Sequence, residues 1–212
     1  LMQYTKFLPC KKKRKNVVSE LAKSYQIFNK PDLRKLILSL RREMSANCID
    51  SKSNSLAKNF LNHLSSYDSI NSVALYCPVN NEVDTKAIHD ELIYQGKEIL
   101  YPKIIDNKLV FIEFESFEDF TYGEFNILEP SGKKCRHPKL IDLFVVPSIA
   151  VGVKGKRLGY GGGFYDRALE SVPKEKIWSI IYDFQHVYDF WGEDHDIKVS
   201  MVFTDSKLLS IN

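Results

Sequence analysis

Much of what a 212-residue chain could carry is missing from this one. No stretch approaches the roughly 18 consecutive apolar residues of a membrane-crossing helix. The first residues also lack the apolar segment of about 7 to 15 that marks a signal peptide. The expectation is a cytoplasmic protein with no membrane partner. Its four cysteines, Cys10, Cys48, Cys77 and Cys135, are widely spaced and form no CxxC pair, which excludes a disulfide-stapled scaffold and fits a reducing compartment. Cys135 and His137 stand two apart, yet no second pair of soft ligands accompanies them, so they read as loop residues. Internal repeats and low-complexity tracts are absent as well.

Excess positive charge is confined to one end. Residues 1–29 hold seven Lys/Arg, five of them in "KKKRK", against the single acid Glu20. From residue 30 onward there are 23 basic and 26 acidic residues, so the body is slightly acidic. A charge block without apolar periodicity is self-repelling and reads as a flexible extension. An acidic body offers no footprint to cooperate with it, which argues against nucleic acid as a partner. Residues 30–212, 183 in number, suffice for one sizeable core and read as a single catalytic-sized α/β domain, expected to be a monomer.

Within that body the periodicity is helical first. In "NKPDLRKLILSLRREMS", Pro31 and Asp32 suit a first turn, and Leu33, Leu36, Ile37 and Leu40 fall on one face. A second helix over about 51–66 places Leu56, Phe60, Leu61 and Leu64 together. "SVALYCP" (72–78) reads as a buried strand, followed by the turn "VNNE". Asp84 then suits the cap of a helix holding Ile88, Leu92 and Ile93, and Gly96 suits its end. "EILYPKI" (98–104) is the next strand, which gives a strand, helix, strand crossover. Further strands are expected at "LVFIEF", "IDLFVVP", "WSIIYDF" and "VSMVFT". The predicted architecture is a three-layer α/β/α sandwich around a mostly parallel sheet, a fold also used by sugar-phosphate isomerases and coenzyme A transferases.

Glycine is distributed unevenly. Six of the ten glycines lie within residues 152–163, and "GYGGGFYDR" (159–167) packs four into five positions. Placed after the most apolar strand and before a helix, such a loop lets backbone N–H groups approach oxyanions, with help from the helix N-terminus. It is no Walker loop, because no Lys-Ser/Thr pair follows, and it satisfies only GxG of a dinucleotide fingerprint. Lys154, Lys156 and Arg157 precede the loop and could meet phosphate. Asp166 either complements the helix dipole or, beside a polyphosphate, holds a divalent cation.

"VVPSIAVGVKGKRLGYGGGFYDRAL" (145–169) closely resembles the signature of the 5-formyltetrahydrofolate cyclo-ligase family, also called 5,10-methenyltetrahydrofolate synthetases. Three further segments recur in order: the helix opening with Lys30, Leu33 and Arg34; "YCPVNNEVDT" with Cys77 and Glu82; and "FQ" followed by "EDHDIKVSMVFTD" with Asp196. The resemblance spans about residues 30–205. It implies an ATP-dependent cyclisation of 5-formyltetrahydrofolate to 5,10-methenyltetrahydrofolate, with magnesium as cofactor. By the same resemblance Lys30, Pro31, Asp32, Leu33 and Arg34, together with Arg157, Leu158, Gly159, Tyr160, Gly161, Gly162, Gly163, Phe164 and Tyr165, would hold ATP. Lys30, Arg34 and Arg157 would be the catalytic cations. Cys77, Glu82 and the segment from Tyr160 to Phe164 would hold the folate, and Asp166 and Asp196 the metal. Phe164 stands where the family has tyrosine, Ser200 where an acid is common, and Trp191 where proline is frequent. Against this stand an isomerase or transferase of the same fold, and a folate- or nucleotide-binding module without chemistry.

Overall fold

Residues 29–190 and 196–211 are described by the computed structural model. The basic extension expected over residues 1–29, all but its last residue, and Trp191 lie outside them. Helix α1 (Lys30–Arg42) opens as its sequence predicts: the Asn29 side chain accepts from the Asp32 N–H at 2.9 Å, and Pro31 occupies the first turn. Helix α2 (Ala46–Leu64) starts earlier than expected, in the turn that follows α1. Strand β1 (Ser72–Ala74) leads through "VNNE" to helix α3 (Lys86–Tyr94). That helix ends with Gly96 at φ +73°, where Gly96 N–H bonds Ile93 O and Lys97 N–H bonds Leu92 O, the paired closure that a left-handed residue permits.

Strands β2 (Glu98–Ile105) and β3 (Lys108–Glu113) form a hairpin whose two-residue turn, Asp106 and Asn107, has positive φ at both positions. Then follow β4 (Phe120–Tyr122), β5 (Leu128–Pro130), β6 (Cys135–Arg136), β7 (Leu143–Val146), β8 (Ala150–Gly152) and β9 (Arg157–Leu158). After the five-residue α4 (Phe164–Ala168) come β10 (Ile177–Ile180), β11 (His186–Val187), β12 (Met201–Phe203) and β13 (Leu208–Ser210).

The main sheet has eight strands in the order β13-β12-β10-β7-β1-β2-β3-β6. Five of its strands, β12, β10, β7, β1 and β2, are parallel; β13 and β3 run opposite to them, and the edge strand β6 pairs antiparallel with β3. The expected crossover from β1 through α3 to parallel β2 is present. One face packs on α2 and α3 through Leu56, Phe60, Ile88, Leu92, Val145 and Trp178. Ile93, expected to be buried with them, turns to solvent (43% exposed) because the apolar face is narrower than the sequence pattern implied. The opposite face, around Phe111, Phe144 and Val202, is covered by α4 and the segments near it rather than by long helices. α1 sits on a separate three-stranded sheet, β11-β8-β9, burying Leu33, Ile37 and Leu40 against Ile149, Leu158 and Phe190. No helix among the described residues is long and apolar enough to cross a membrane.

Strand order reverses between β1 and β7: the chain moves from β1 outward to β2 on one side, and from β7 outward to β10 and β12 on the other. The carboxyl ends of two diverging strands leave a crevice between them. From β1 the chain runs on to Glu82, and from β7 to the glycine loop. The loop does not leave β7 directly as expected, because the β8–β9 hairpin intervenes.

Phe60 is fully buried, with its ring centroid 5.2 Å from Phe203 and 5.8 Å from Trp178. Phe60→Ala should lower unfolding free energy by about 3–5 kcal/mol. Urea denaturation followed by tryptophan fluorescence checks this.

Candidate functional site

The glycine loop begins where β9 ends. Gly161 takes φ +111° and Gly163 φ +66°, conformations that a side chain would strain, so part of the glycine requirement is set by the backbone path itself. Gly161 and Gly162 face solvent. The N–H groups of Tyr160, Gly161 and Gly162 donate to no protein acceptor among the described residues. Bare, outward-facing amides of this kind suit an oxyanion. The helix behind them supplies less than the sequence promised: with only five residues, α4 sums few peptide dipoles.

Positive charge comes instead from α1. Lys30, Arg34 and Arg41 follow at spacings of four and seven, so they share one edge of the helix. Lys30 Nζ lies 2.9 Å from Asp196 Oδ1. Arg34 Nε donates to Gly159 O at 2.7 Å, and its guanidinium carbon is 3.6 Å from where a Cβ on Gly161 would stand. Of the other α1 residues expected at the site, Leu33 is buried in the packing beneath the helix, while Pro31 and Asp32 are exposed in its first turn.

Arg157 is turned inward and 4% exposed. Its Nη2 donates to Asp166 Oδ1 at 3.0 Å and Oδ2 at 3.2 Å, its Nη1 to Pro147 O at 3.1 Å, and its Cζ lies 5.4 Å from the Tyr165 ring centre. Burial raises the Tyr165 hydroxyl far above the ordinary tyrosine range. Asp166 Oδ1 also accepts from Ile197 N–H at 3.2 Å, which brings it beside the chain segment of Asp196. The two carboxylates thus belong to adjoining segments, each facing a cation. Among the described residues no group of three or more His, Cys, Asp or Glu could cage a metal ion. Carboxylate oxygens are the hard donors that magnesium prefers, and it is commonly held by one or two carboxylates. Ser200, in place of an acid, donates to Glu175 O at 3.2 Å.

Across the crevice, "VNNE" forms a tight turn with Asn80 and Asn81 at φ +49° and +57°, closed by Glu82 N–H to Val79 O at 3.0 Å. Glu82 is 4% exposed. Its Oε2 accepts from Val79 N–H at 3.0 Å and its Oε1 from the Tyr160 hydroxyl at 3.0 Å. Burial pushes its carboxyl above the usual range, opposed by the Arg41 charge and these hydrogen bonds. Burial likewise raises the Tyr160 hydroxyl to about 12, with the Glu82 charge adding to it. Cys77, half-buried beside this turn, has its thiol pushed up to about 12 by desolvation, so it offers surface and not a nucleophile. On the other side of the loop, the Phe164 ring meets the exposed Phe125 edge-on at 5.8 Å, and Arg167 Cζ stands 5.1 Å from its centre.

Two residues escaped the sequence reading. Arg41 is fully buried and joins Glu82 to the loop; its signal was a charge four residues after Ile37 on the apolar stripe. Phe125, with φ +59° in the segment before β5, carried no periodic signal. Lys154, by contrast, lines a pocket with Lys174 and Lys198 that contains none of the expected site residues.

The model of the 5-formyltetrahydrofolate cyclo-ligase family matches residues 26–205. A 5-formyltetrahydrofolate cyclo-ligase of Mycoplasma pneumoniae is 30% identical over 185 residues, covering 84% of this chain and 99% of that protein. The solved structure of an Aquifex aeolicus 5,10-methenyltetrahydrofolate synthetase superposes with a TM-score of 0.76 at 30% identity, covering 86% of this chain and 93% of the other. That of a 5,10-methenyltetrahydrofolate synthetase from Mycoplasma pneumoniae gives 0.71 at 26% identity, over 84% and 99%.

Asp166→Asn would leave the buried Arg157 charge without its counter-ion, at a cost of about 3 kcal/mol. A lower urea midpoint with an unchanged slope is the expected result.

Proposed function

Because this chain belongs to the 5-formyltetrahydrofolate cyclo-ligase family, we propose that the crevice between β1 and β7 is where 5-formyltetrahydrofolate meets ATP on the glycine loop. The chain is an enzyme of that family, forming 5,10-methenyltetrahydrofolate from 5-formyltetrahydrofolate. Membership sets aside the isomerase and coenzyme A transferase readings of the fold.

One observation supports the shared loop above all. Consecutive residues reach different partners: Gly159 O accepts from Arg34 on the cation edge of α1, and the Tyr160 hydroxyl donates to Glu82 in the turn after β1. Lys30, Arg34 and the free amides of residues 160–162 suit a triphosphate. Glu82, Tyr160, the Cys77 surface and the Phe164 ring suit a pterin, a flat heterocycle with several N–H donors.

The chemistry explains why the two must be neighbours. The formyl group on N5 is amide-like, so its carbon is a poor electrophile and its oxygen a poor leaving group. Attack of that oxygen on the γ-phosphorus of ATP forms an O–P bond and releases ADP. N10 then adds to the activated carbon, its proton passes to solvent, and the C–O bond breaks as phosphate leaves. Phosphoryl transfer of this kind depends on alignment and charge neutralisation more than on covalent help from the protein. In this reading Lys30 and Arg34 supply that neutralisation, while Arg157, expected as a third catalytic cation, is buried against Asp166 and acts by holding the loop's base. Magnesium, when bound, would neutralise phosphate charge, with Asp166 and Asp196 as its protein ligands.

The decisive measurement is ATP-dependent appearance of the conjugated methenyl chromophore from 5-formyltetrahydrofolate, with and without magnesium. Absence of ATP dependence in the purified protein would overturn the reading. Arg34→Met should raise the KM for ATP by about tenfold, the loss of one charge-assisted contact, with a smaller effect on the folate KM. Asp196→Asn should raise the magnesium concentration needed for half-maximal rate.

A further inference from the structure

Arg41 does more than fill space. It is 0% exposed, yet it carries a guanidinium, the most polar side chain in the packing around α1. Its Nε donates to Asn80 O at 2.8 Å and its Nη2 to Val79 O at 3.0 Å and to the Tyr160 hydroxyl at 2.6 Å. Nη1 lies 3.6 Å from Glu82 Oε1 and makes no hydrogen bond. The Asn81 side chain in turn donates to Arg41 O at 2.8 Å, so helix and turn hold each other in both directions. A hydrophobic residue of similar length would pack here without the cost of burying a charge. The charge therefore calls for a reason beyond stability.

We propose that Arg41 is a positioning residue for the folate: its guanidinium fixes Glu82 and Tyr160 as a matched pair on the substrate side of the glycine loop. This rests on the reading that 5-formyltetrahydrofolate occupies that side. A planar fork with donors in two directions can reach the turn carbonyls and the tyrosine oxygen together, which a lysine ammonium cannot do with the same geometry. With Tyr160 OH accepting from Arg41, its own proton is directed at Glu82 Oε1. The carboxylate keeps lone pairs to accept N–H groups of the pterin, and it accepts at both oxygens only while ionised.

The surroundings make ionisation depend on Arg41. Facing Glu82 are Tyr160 from the loop, Tyr76 from the end of β1, Tyr182, whose hydroxyl donates to Glu82 O at 3.2 Å, and Tyr165 from α4. Among these neighbours Arg41 is the one cation. Burial drives the Glu82 carboxyl upward and the Arg41 charge is the largest opposing influence. Removing that charge moves protonation of Glu82 to higher pH. The acid limb of folate kcat/KM moves upward with it, because the protonated acid no longer accepts the pterin donors at both oxygens.

Two variants carry the test. Arg41→Lys keeps the charge and should fold; it should raise the KM for 5-formyltetrahydrofolate about tenfold while the KM for ATP stays within about twofold, because one oriented fork is lost on the folate side only. Arg41→Gln should do the same and also shift the acid limb of the folate profile to higher pH, a shift that disappears when Glu82→Gln is combined with it. Equal changes in both KM values, or none, in Arg41→Lys would overturn the proposal, and so would a limb that still shifts in the double variant. If Arg41→Gln does not fold, the Arg41→Lys split decides alone. A 13C-carboxyl titration of Glu82 in the substrate-free protein, wild type against Arg41→Gln, separates this from the reaction itself. A wild type that fails to turn over folate counts against the proposed reaction, whereas an unmoved Glu82 titration counts against Arg41.

Discussion

The ion pair between Arg157 and Asp166 is the constraint on which the site depends. These residues stand on either side of the glycine loop, nine apart in sequence, and their contact closes the loop at its base. A run rich in glycine has the most conformational freedom to lose on ordering. Held only at β9 and at the single turn of α4, it would sample many paths. The contact, in which Arg157 Nη2 reaches both Asp166 oxygens, with Tyr165 against the guanidinium and Pro147 O accepting from Nη1, leaves one. Such a pair adds little net stability once desolvation is counted, but it specifies geometry.

Above that closed base, α1 works as a rail. Its apolar stripe fastens it to the small sheet β11-β8-β9, and its charged edge meets in succession the segment of Asp196, the loop and the turn after β1. The Lys30 end and the Glu82 end of the crevice are therefore referenced to one rigid element. That matters for the proposed reaction, in which a phosphorus atom must meet one particular oxygen, since misplacement of reacting atoms by even about 1 Å costs rate steeply.

How much of this could be read beforehand follows from which residues obey a period. The spacing of Leu33, Ile37 and Leu40 exposes α1, and the uniform apolarity of "LFVV" exposes β7, because long elements repeat their pattern. The β8–β9 hairpin was invisible, because strands of three and two residues have no period to detect. The three-layer sandwich was anticipated more regularly than it is built, with α4 and loops standing where a full helical layer was expected. At the site, the glycine cluster was legible and the four ordered segments were tied together by resemblance, but of the charges before the loop Lys154 lines another pocket and Arg157 is buried. Glu82 could have been an exposed loop acid; only the fold shows it buried. Arg41 stayed hidden because a charged residue is assigned to solvent by default, and its exception arises from a turn some forty residues away that presents two carbonyls inward.

The neutral thiol of Cys77 has a chemical consequence for the enzyme's working life. Peroxides and alkylating reagents attack thiolates, and a cysteine with its proton held to about 12 presents almost none at physiological pH. A sulfur atom can thus border a crevice without becoming its oxidation-sensitive point, whereas the exposed cysteine among the described residues, Cys135, lies on the outermost strand.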